Sequence, residues 1–562
     1  MESLAVKDLS FTYAGAAEPT LREVSLRLEA GEFALLTGET GCGKTTLLRL
    51  IKRELAPRGD RRGSILLGGR ETETLSDREA AEKIGFVFQR PEQQIVTDRV
   101  WHELAFGLEN LGMPEKEMRR RVAETAQFFG LEEYWDVRPD QLSGGQKQLL
   151  NLAAVMVMEP DLLILDEPTA RLDPIAARSF LSMLERLHRE MGMTILMSEH
   201  RLEDVLDRAD RLICMENGAI RLNGAPREVC AWIPGQGALA GALPAAVRVW
   251  QGTGRQGSCP LNAGEGRRWL AARIGASKPE DGETRQTAAG TRNRGKPPAR
   301  SCAAQRAEPK REDSAALCLR EVWFRFSREG KDVLRSVNLT VRQGEIFALL
   351  GGNGSGKTTL LRTAAGMIPP YSGEILFFGK KLKDYRHGTL RHEGIALLPQ
   401  DVQTLFLRGS VREELRDAGL RPEELPFDLS GLLDRHPYDL SGGEQQLLGL
   451  AKVLSAKPKL LLMDEPTGGL DAAWRQRTRT WMKQLQAQGM TLLLVTHDAE
   501  FAAETADRCG LLFRGRVEAV EEPGTFFAGA SYYGTSVSRM TRGLLPGCAT
   551  VAEMTAALNR QD

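Results

Sequence analysis

Two stretches of this chain can hold phosphate. GETGCGKT (38–45) and GGNGSGKT (351–358) each fit GxxxxGK[ST], and each follows an apolar strand and precedes a helix-like LLR. The glycines Gly38, Gly41 and Gly43, and Gly351, Gly354 and Gly356, let successive backbone N–H groups turn inward around an anion at a helix N-terminus. Cys42, Asn353 and Ser355 complete the loops. Lys44 and Lys357 are expected to reach the outer phosphates. Thr45 and Thr358 are expected to bind Mg²⁺, with Thr46 and Thr359 next to them.

Carboxylates follow at matching places. LLILDEP and LLLMDEP end apolar strands in Asp166–Glu167 and Asp464–Glu465. The aspartates suit a magnesium shell, and the glutamates stand where a carboxylate can polarise an attacking water. His200 and His497, two of seven histidines, close two further apolar strands and are expected to touch a γ-phosphate. Ser143, Gly144 and Gly145, and Ser441, Gly442 and Gly443, each open a helix, offering a hydroxyl and free N–H groups to an anion. Each half already has a phosphate loop, so this second anion site makes sense if it serves a nucleotide held by the other half.

Such groups need elements to position them, and the elements come twice. Residues 21–50 return as 334–363, and the two copies stay nearly in register through LSGGQ/LSGGE and the Asp–Glu pair. A period above 300 residues marks two homologous domains, not a solenoid. The expected class is α/β, with two phosphate-loop ATPase domains at 1–230 and 315–525. Small, partly helical extensions are expected at 231–276 and 526–562. The segment 277–314 is polar, charged and rich in Gly and Pro, and reads as a flexible linker.

Composition narrows the class. In 562 residues, 75 basic and 75 acidic side chains balance, so no general affinity for nucleic acid is expected. Eight scattered cysteines without a CxxC pair read as reduced thiols. No secretory signal and no membrane-spanning run is visible, so any membrane role is expected to be borrowed from partners.

The ordered set of phosphate loop, glutamine, LSGGQ, Asp–Glu and histidine resembles the ATP-binding cassette ATPases, in both copies. That resemblance implies head-to-tail cassettes sandwiching two ATP molecules with Mg²⁺, here within one chain and without an obligate homodimer. One site would join the first loop, Gln89, Asp166, Glu167 and His200 to Ser441 and Gly443. The other would join the second loop, Gln400, Asp464, Glu465 and His497 to Ser143 and Gly145. Gln89 and Gln400 are implied as both catalytic groups and metal ligands, and Asp173 and Asp471 as interface aspartates. Tyr13 and Phe326 would stack on adenine, although packing in the core fits them as well. Neither half lacks a part, so two hydrolytic sites are expected.

The stretch QRPEQQIVTDRVWHELAFGLENLG (89–112) closely resembles a segment of the ATPases of energy-coupling factor importers for vitamins and transition-metal ions. The resemblance implies a membrane coupling subunit and a substrate-binding membrane subunit as partners, at the cytoplasmic face of the membrane. Glu92, Gln94 and Glu103 are expected as polar docking contacts, with Ile95 and Val96 lining the groove; capping and packing of the helix is the plainer reading. The second copy lacks the PEQQ turn and presents Leu405, Phe406 and Leu407 instead. A tandem-cassette ATPase acting on the ribosome is the rival, against which the broken linker and balanced charge argue.

Overall fold

The computed structural model describes residues 2–276, 315–385, 394–425, 427–530, 533–545 and 547–560; the expected linker lies outside them. Each repeat folds as a small antiparallel sheet beside a larger, mainly parallel one. In the first, β1 (Glu2–Tyr13), β2 (Leu21–Glu29), β4 (Gly59–Leu67) and β5 (Arg70–Glu71) form the antiparallel sheet, in the order β2-β1-β4-β5. Alternating burial along β2 matches a sheet with one dry face. The larger sheet comprises β3 (Phe33–Gly38), β6 (Ile84–Val87), β7 (Leu162–Asp166), β8 (Thr194–Ser198), β9 (Arg211–Glu216) and β10 (Ala219–Gly224). Its order is β10-β9-β3-β8-β7-β6.

Strands β3, β7 and β8 are buried along their whole length. Their runs FALL, LLIL and TILM read as continuously apolar because both faces of a parallel sheet are covered. The phosphate loop leaves the carboxyl end of β3, and the Asp–Glu pair and the histidine leave the ends of β7 and β8. Sheet order alone therefore brings three distant motifs to one edge. The second repeat has the same two sheets, 315–385 supplying the antiparallel one and part of the other.

The extensions build a third structure. Helices Ala245–Gly252 and Ala263–Ala276 follow the first cassette, and Ser536–Thr541 and Val551–Asn559 follow the second. Ala245, Ala246, Val249 and Leu270 from one half pack with Val537, Met540, Met554 and Leu558 from the other into one buried cluster. Short helix pairs bury little apolar surface by themselves, and here the two extensions share one core.

Each extension is also tied to its cassette three residues past the histidine. Glu203 accepts from the backbone N–H of Ala245 (2.8 Å) and Glu500 from that of Ser536 (2.6 Å). Both carboxylates thus meet the N-terminus of an extension helix, and burial pushes the Glu500 carboxyl up to about 7.

Candidate nucleotide sites

In both phosphate loops the glycine before the lysine, Gly43 or Gly356, sits at φ 104°. A side chain there would be strained, and at Gly43 a Cβ would come 2.7 Å from Leu21. The loops curl so tightly that their lysines satisfy the loops' own carbonyls. Lys44 Nζ donates to the oxygens of Gly38 (2.9 Å) and Glu39 (3.1 Å). Lys357 Nζ donates to those of Gly351 (2.8 Å) and Gly352 (3.2 Å). Both ammonium groups are buried at the place where phosphate oxygens would compete for them.

Thr45 Oγ1 donates to Asp166 Oδ1 at 3.1 Å, and Ser198 Oγ to the same oxygen at 2.8 Å. Burial and the adjacent Glu167 charge push the Asp166 carboxyl up. Burial does the same at Asp464, opposed by a hydrogen bond from Thr358. Asp464 Oδ1 is buried without a hydrogen-bond partner. A hydroxyl and a carboxylate, one oxygen of it unused, fit a cation that takes its remaining ligands from water and phosphate.

The glutamates share a conformation the sequence did not disclose. Glu167 (φ 46°) and Glu465 (φ 49°) both sit in the left-handed region that non-glycine residues avoid. The surroundings hold them there: the Glu167 N–H donates to Ser198 O (3.1 Å) and the Glu465 N–H to Val495 O (3.0 Å). Glu167 Oε2 accepts from Gln89 Nε2 at 2.8 Å, and its Oε1 lies 2.7 Å from His200 Nε2. Glu465 Oε2 lies 2.9 Å from His497 Nδ1, and its Oε1 lies 3.7 Å from Lys357 Nζ. Burial pushes the Glu465 carboxyl up, but His497 and Lys357 outweigh it and hold the group below its usual range. Each half therefore pairs a buried carboxylate with an imidazole beside its phosphate loop.

The halves are not equal. Gln400 is exposed, and among the described residues it makes no hydrogen bond to Glu465. Tyr13 donates to or accepts from Thr46 Oγ1 at 2.9 Å. Phe326 is 71% exposed, which removes core packing as its role. Ser143 and Ser441 cap their own helices in capping boxes with Gln146 and Glu444. Neither serine hydrogen-bonds the opposite phosphate loop among the described residues. At the first phosphate loop the opposite half is met by Asp471, whose Oδ2 accepts from the backbone N–H of Thr40 at 2.7 Å. Asp173 caps its own helix through Ile175 (3.0 Å) and Ala176 (2.8 Å). Between the halves lies a cavity of about 40 Å³ lined by both histidines, Thr169, Glu199 and Arg201.

Three of the expected docking residues point inward. Glu103 is 5% exposed and accepts from Val96 N (3.1 Å), Thr97 N (2.8 Å) and Thr97 Oγ1 (2.9 Å). Gln94 bridges Phe88 N and Phe86 O. Phe406 is 5% exposed, and Ile95 and Leu405 pack against the cores. Glu103 and Phe406 are buried and the half-buried Gln94 spends its amide on its own backbone, so the capping and packing reading fits all three. Val96, 63% exposed, and Glu92, which lies 3.8 Å from Lys147, remain at the surface. Leu407, seven residues before the capping carboxylate Glu414 as Val96 is before Glu103, is 76% exposed.

Sequence reasoning missed Glu199, whose Oε1 accepts from Thr169 N (3.1 Å) and Oγ1 (2.6 Å). Its visible signal was SEH in the first copy against VTH in the second.

The family model described as ABC transporter matches residues 21–170 and 334–468. A protein of Bacillus thuringiensis subsp. konkukian, named as an ABC transporter ATP-binding protein, is 38% identical over 552 residues, covering 96% of each chain. One so named from Streptomyces coelicolor is 38% identical, covering 91% of this chain and 92% of its own. Another from Methanosarcina mazei is 34% identical, covering 91% and 87%. The solved structure of cbiO1 from Clostridium perfringens, part of the ABC transporter complex cbiONQ, is 32% identical. It covers 41% of this chain and 92% of its own, with a TM-score of 0.39.

Proposed function

The chain belongs to the ABC transporter ATP-binding family and is an ATPase with two cassettes, and from that premise we propose that it powers an energy-coupling factor importer for a vitamin or a transition-metal ion. In this reading it hydrolyses ATP at two composite sites and passes the closure of its cassettes to an integral membrane coupling subunit. A separate membrane subunit binds the substrate, and the ATPase works from the cytoplasmic face. No described helix is long and apolar enough to cross a membrane; in this reading the stroke passes through a docking surface.

The observation that carries the proposal is Val96. It stands exposed on the turn that begins at Gln89, and the Gln89 amide holds the catalytic candidate Glu167 at 2.8 Å. An apolar contact there moves when the nucleotide site rearranges. Leu407 offers the matching contact in the second half, with a different neighbourhood for a different helix of the partner.

At each site, Lys44 or Lys357 neutralises the phosphates and Glu167 or Glu465 accepts a proton from the attacking water. His200 or His497 orients that carboxylate through the hydrogen bond described above. Thr45 with Asp166, and Thr358 with Asp464, would hold Mg²⁺, which supplies charge neutralisation at the transferring phosphoryl group. Ser441 and Gly443, and Ser143 and Gly145, would close on the nucleotide of the opposite half.

The test is a pull-down of the Glu167→Gln/Glu465→Gln chain from gently solubilised membranes with Mg-ATP, with and without Val96→Asp and Leu407→Asp. Small integral membrane proteins, lost with the aspartates, are expected. Ribosomal proteins in their place would overturn the importer reading.

A further inference from the structure

The residue after each histidine differs in sign between the halves: Arg201 follows His200, and Asp498 follows His497. In the structure these two pseudo-equivalent side chains meet, with the Arg201 guanidinium donating to Asp498 Oδ2 across the cassette boundary. Arg475 Nη2 donates to the same oxygen at 2.5 Å. The Asp498 side chain is only 4% exposed, so both charge-assisted bonds act with little screening. Burial pushes its carboxyl up, but Arg201 and Arg475 outweigh this and hold it at about 2.

Arg475 is itself tied to the first phosphate loop. It lies one turn into the helix Ala472–Ala487, and its N–H donates to the carbonyl of Asp471 at 3.0 Å. The Asp471 side chain caps that helix through Trp474 N at 2.8 Å and accepts from the first loop's Thr40 N–H. At the other end, Asp498 is bonded in sequence to His497, which holds Glu465 at 2.9 Å. A continuous set of short bonds thus runs from the first loop to the second catalytic carboxylate. The Arg201 arm joins it from beside His200, which holds Glu167.

No mirror of this route can form. The residue four past Asp173 is Ala177, without a hydrogen-bonding side chain, where Arg475 lies four past Asp471, and Arg201 occupies the place of the carboxylate. We infer that Asp498 is a positioning residue joining the two nucleotide sites, carrying the state of the first phosphate loop and first histidine to the second histidine. The inference rests on the assignment of the two ATP sites, not on the importer reading. In binding free energy the coupling works in both directions, as linkage requires; in hydrolysis the two sites need not respond alike.

Cys42 makes the test site-specific, because the second loop has Ser355 at the equivalent position. In the full-length chain, protection of the Cys42 peptide from N-ethylmaleimide by a non-hydrolysable ATP analogue, read by mass spectrometry, gives the occupancy of the first site. Lys357→Ala, which empties the second site, is expected to raise the protection midpoint at least about fivefold, within the usual range of intersite coupling. With Asp498→Asn in both backgrounds, that shift is expected to fall below about twofold. A purely structural role would instead move both midpoints together and leave the shift intact. Arg201→Gln, at a side chain 42% exposed, tests one arm of the node even if the Asp498 variant fails to fold, and is expected to reduce the shift by at least half.

A full shift in the Asp498 variant, or in the Arg201 variant should the former not fold, would overturn the inference. So would the absence of any shift with Asp498 intact. If the analogue never protects Cys42, the first site itself is misassigned and the relay falls with it.

Discussion

In the proposed reading, Glu167 and Glu465 are the groups on which turnover depends most directly. Replacing both with Gln keeps the shape of the sites and removes the proton acceptor. ATP binding is expected to persist while hydrolysis falls by about 10²–10⁴-fold; near-normal phosphate release would sink the assignment. A second carboxyl, Glu199, sets a pH dependence. It is fully buried, and burial pushes it up to about 7 against the opposing hydrogen bonds from Thr169. An acid whose folded pKa is raised stays protonated in the fold while the unfolded chain ionises, so stability falls as pH rises from about 4.5 to about 7 and is then level. The full effect is on the order of 3 kcal/mol. Glu199→Gln can still accept from Thr169 and is expected to flatten that slope in denaturant titrations. An unchanged slope would assign the pH effect to other groups.

The turns after Gln89 and Gln400 are built on one device at the scale of the element. Glu103 collects the N–H groups of Val96 and Thr97 at 3.1 and 2.8 Å, and Glu414 collects those of Leu407 and Arg408, the latter at 2.6 Å. Each carboxylate anchors its turn to the helix that follows, leaving one apolar residue at the crest. Glu414 is also paired with Lys452, which is largely buried beside it. Glu414→Ala leaves that ammonium uncompensated and is expected to cost about 3–5 kcal/mol. Glu103→Ala, which loses only hydrogen bonds, is expected to cost about 1–3 kcal/mol. Equal losses in chemical denaturation would show that Lys452 finds another partner. The repeat and its motifs made the existence of these turns legible, but a glutamate on a helix reads the same whether it faces a partner or its own backbone.

The two halves are held together by more than the contacts beside their phosphate loops. The shared core of the extensions buries Met540 of the second half near Ala246 and Gly266 of the first. Met540→Ala is expected to cost about 2–5 kcal/mol locally. Because the core is common property, amide exchange should quicken in 245–252 and 263–276 as well as in 536–559. Faster exchange confined to the second half would mean that each extension stands alone. Glu203 and Glu500 tie the extension helices to positions three past the histidines, so this core shares its supports with the nucleotide sites.

The sequence by itself determined the two cassettes and the motifs from which each candidate nucleotide site is built. GxxxxGKT, LSGG and Asp–Glu after an apolar strand are local signals, in which the spacing of a few residues encodes the geometry. The phosphate loops, with Gly43 and Gly356 at positive φ, are formed as the pattern implies. Only the tertiary structure decided which way equally polar side chains face. It turned Glu103 and Gln94 inward, left Val96 outside, merged two weak extensions into one core, and brought Arg201 onto Asp498 across 297 residues of chain. Those outcomes depend on burial and on contacts between segments far apart in sequence. A single residue's type carries no record of either until the chain has packed.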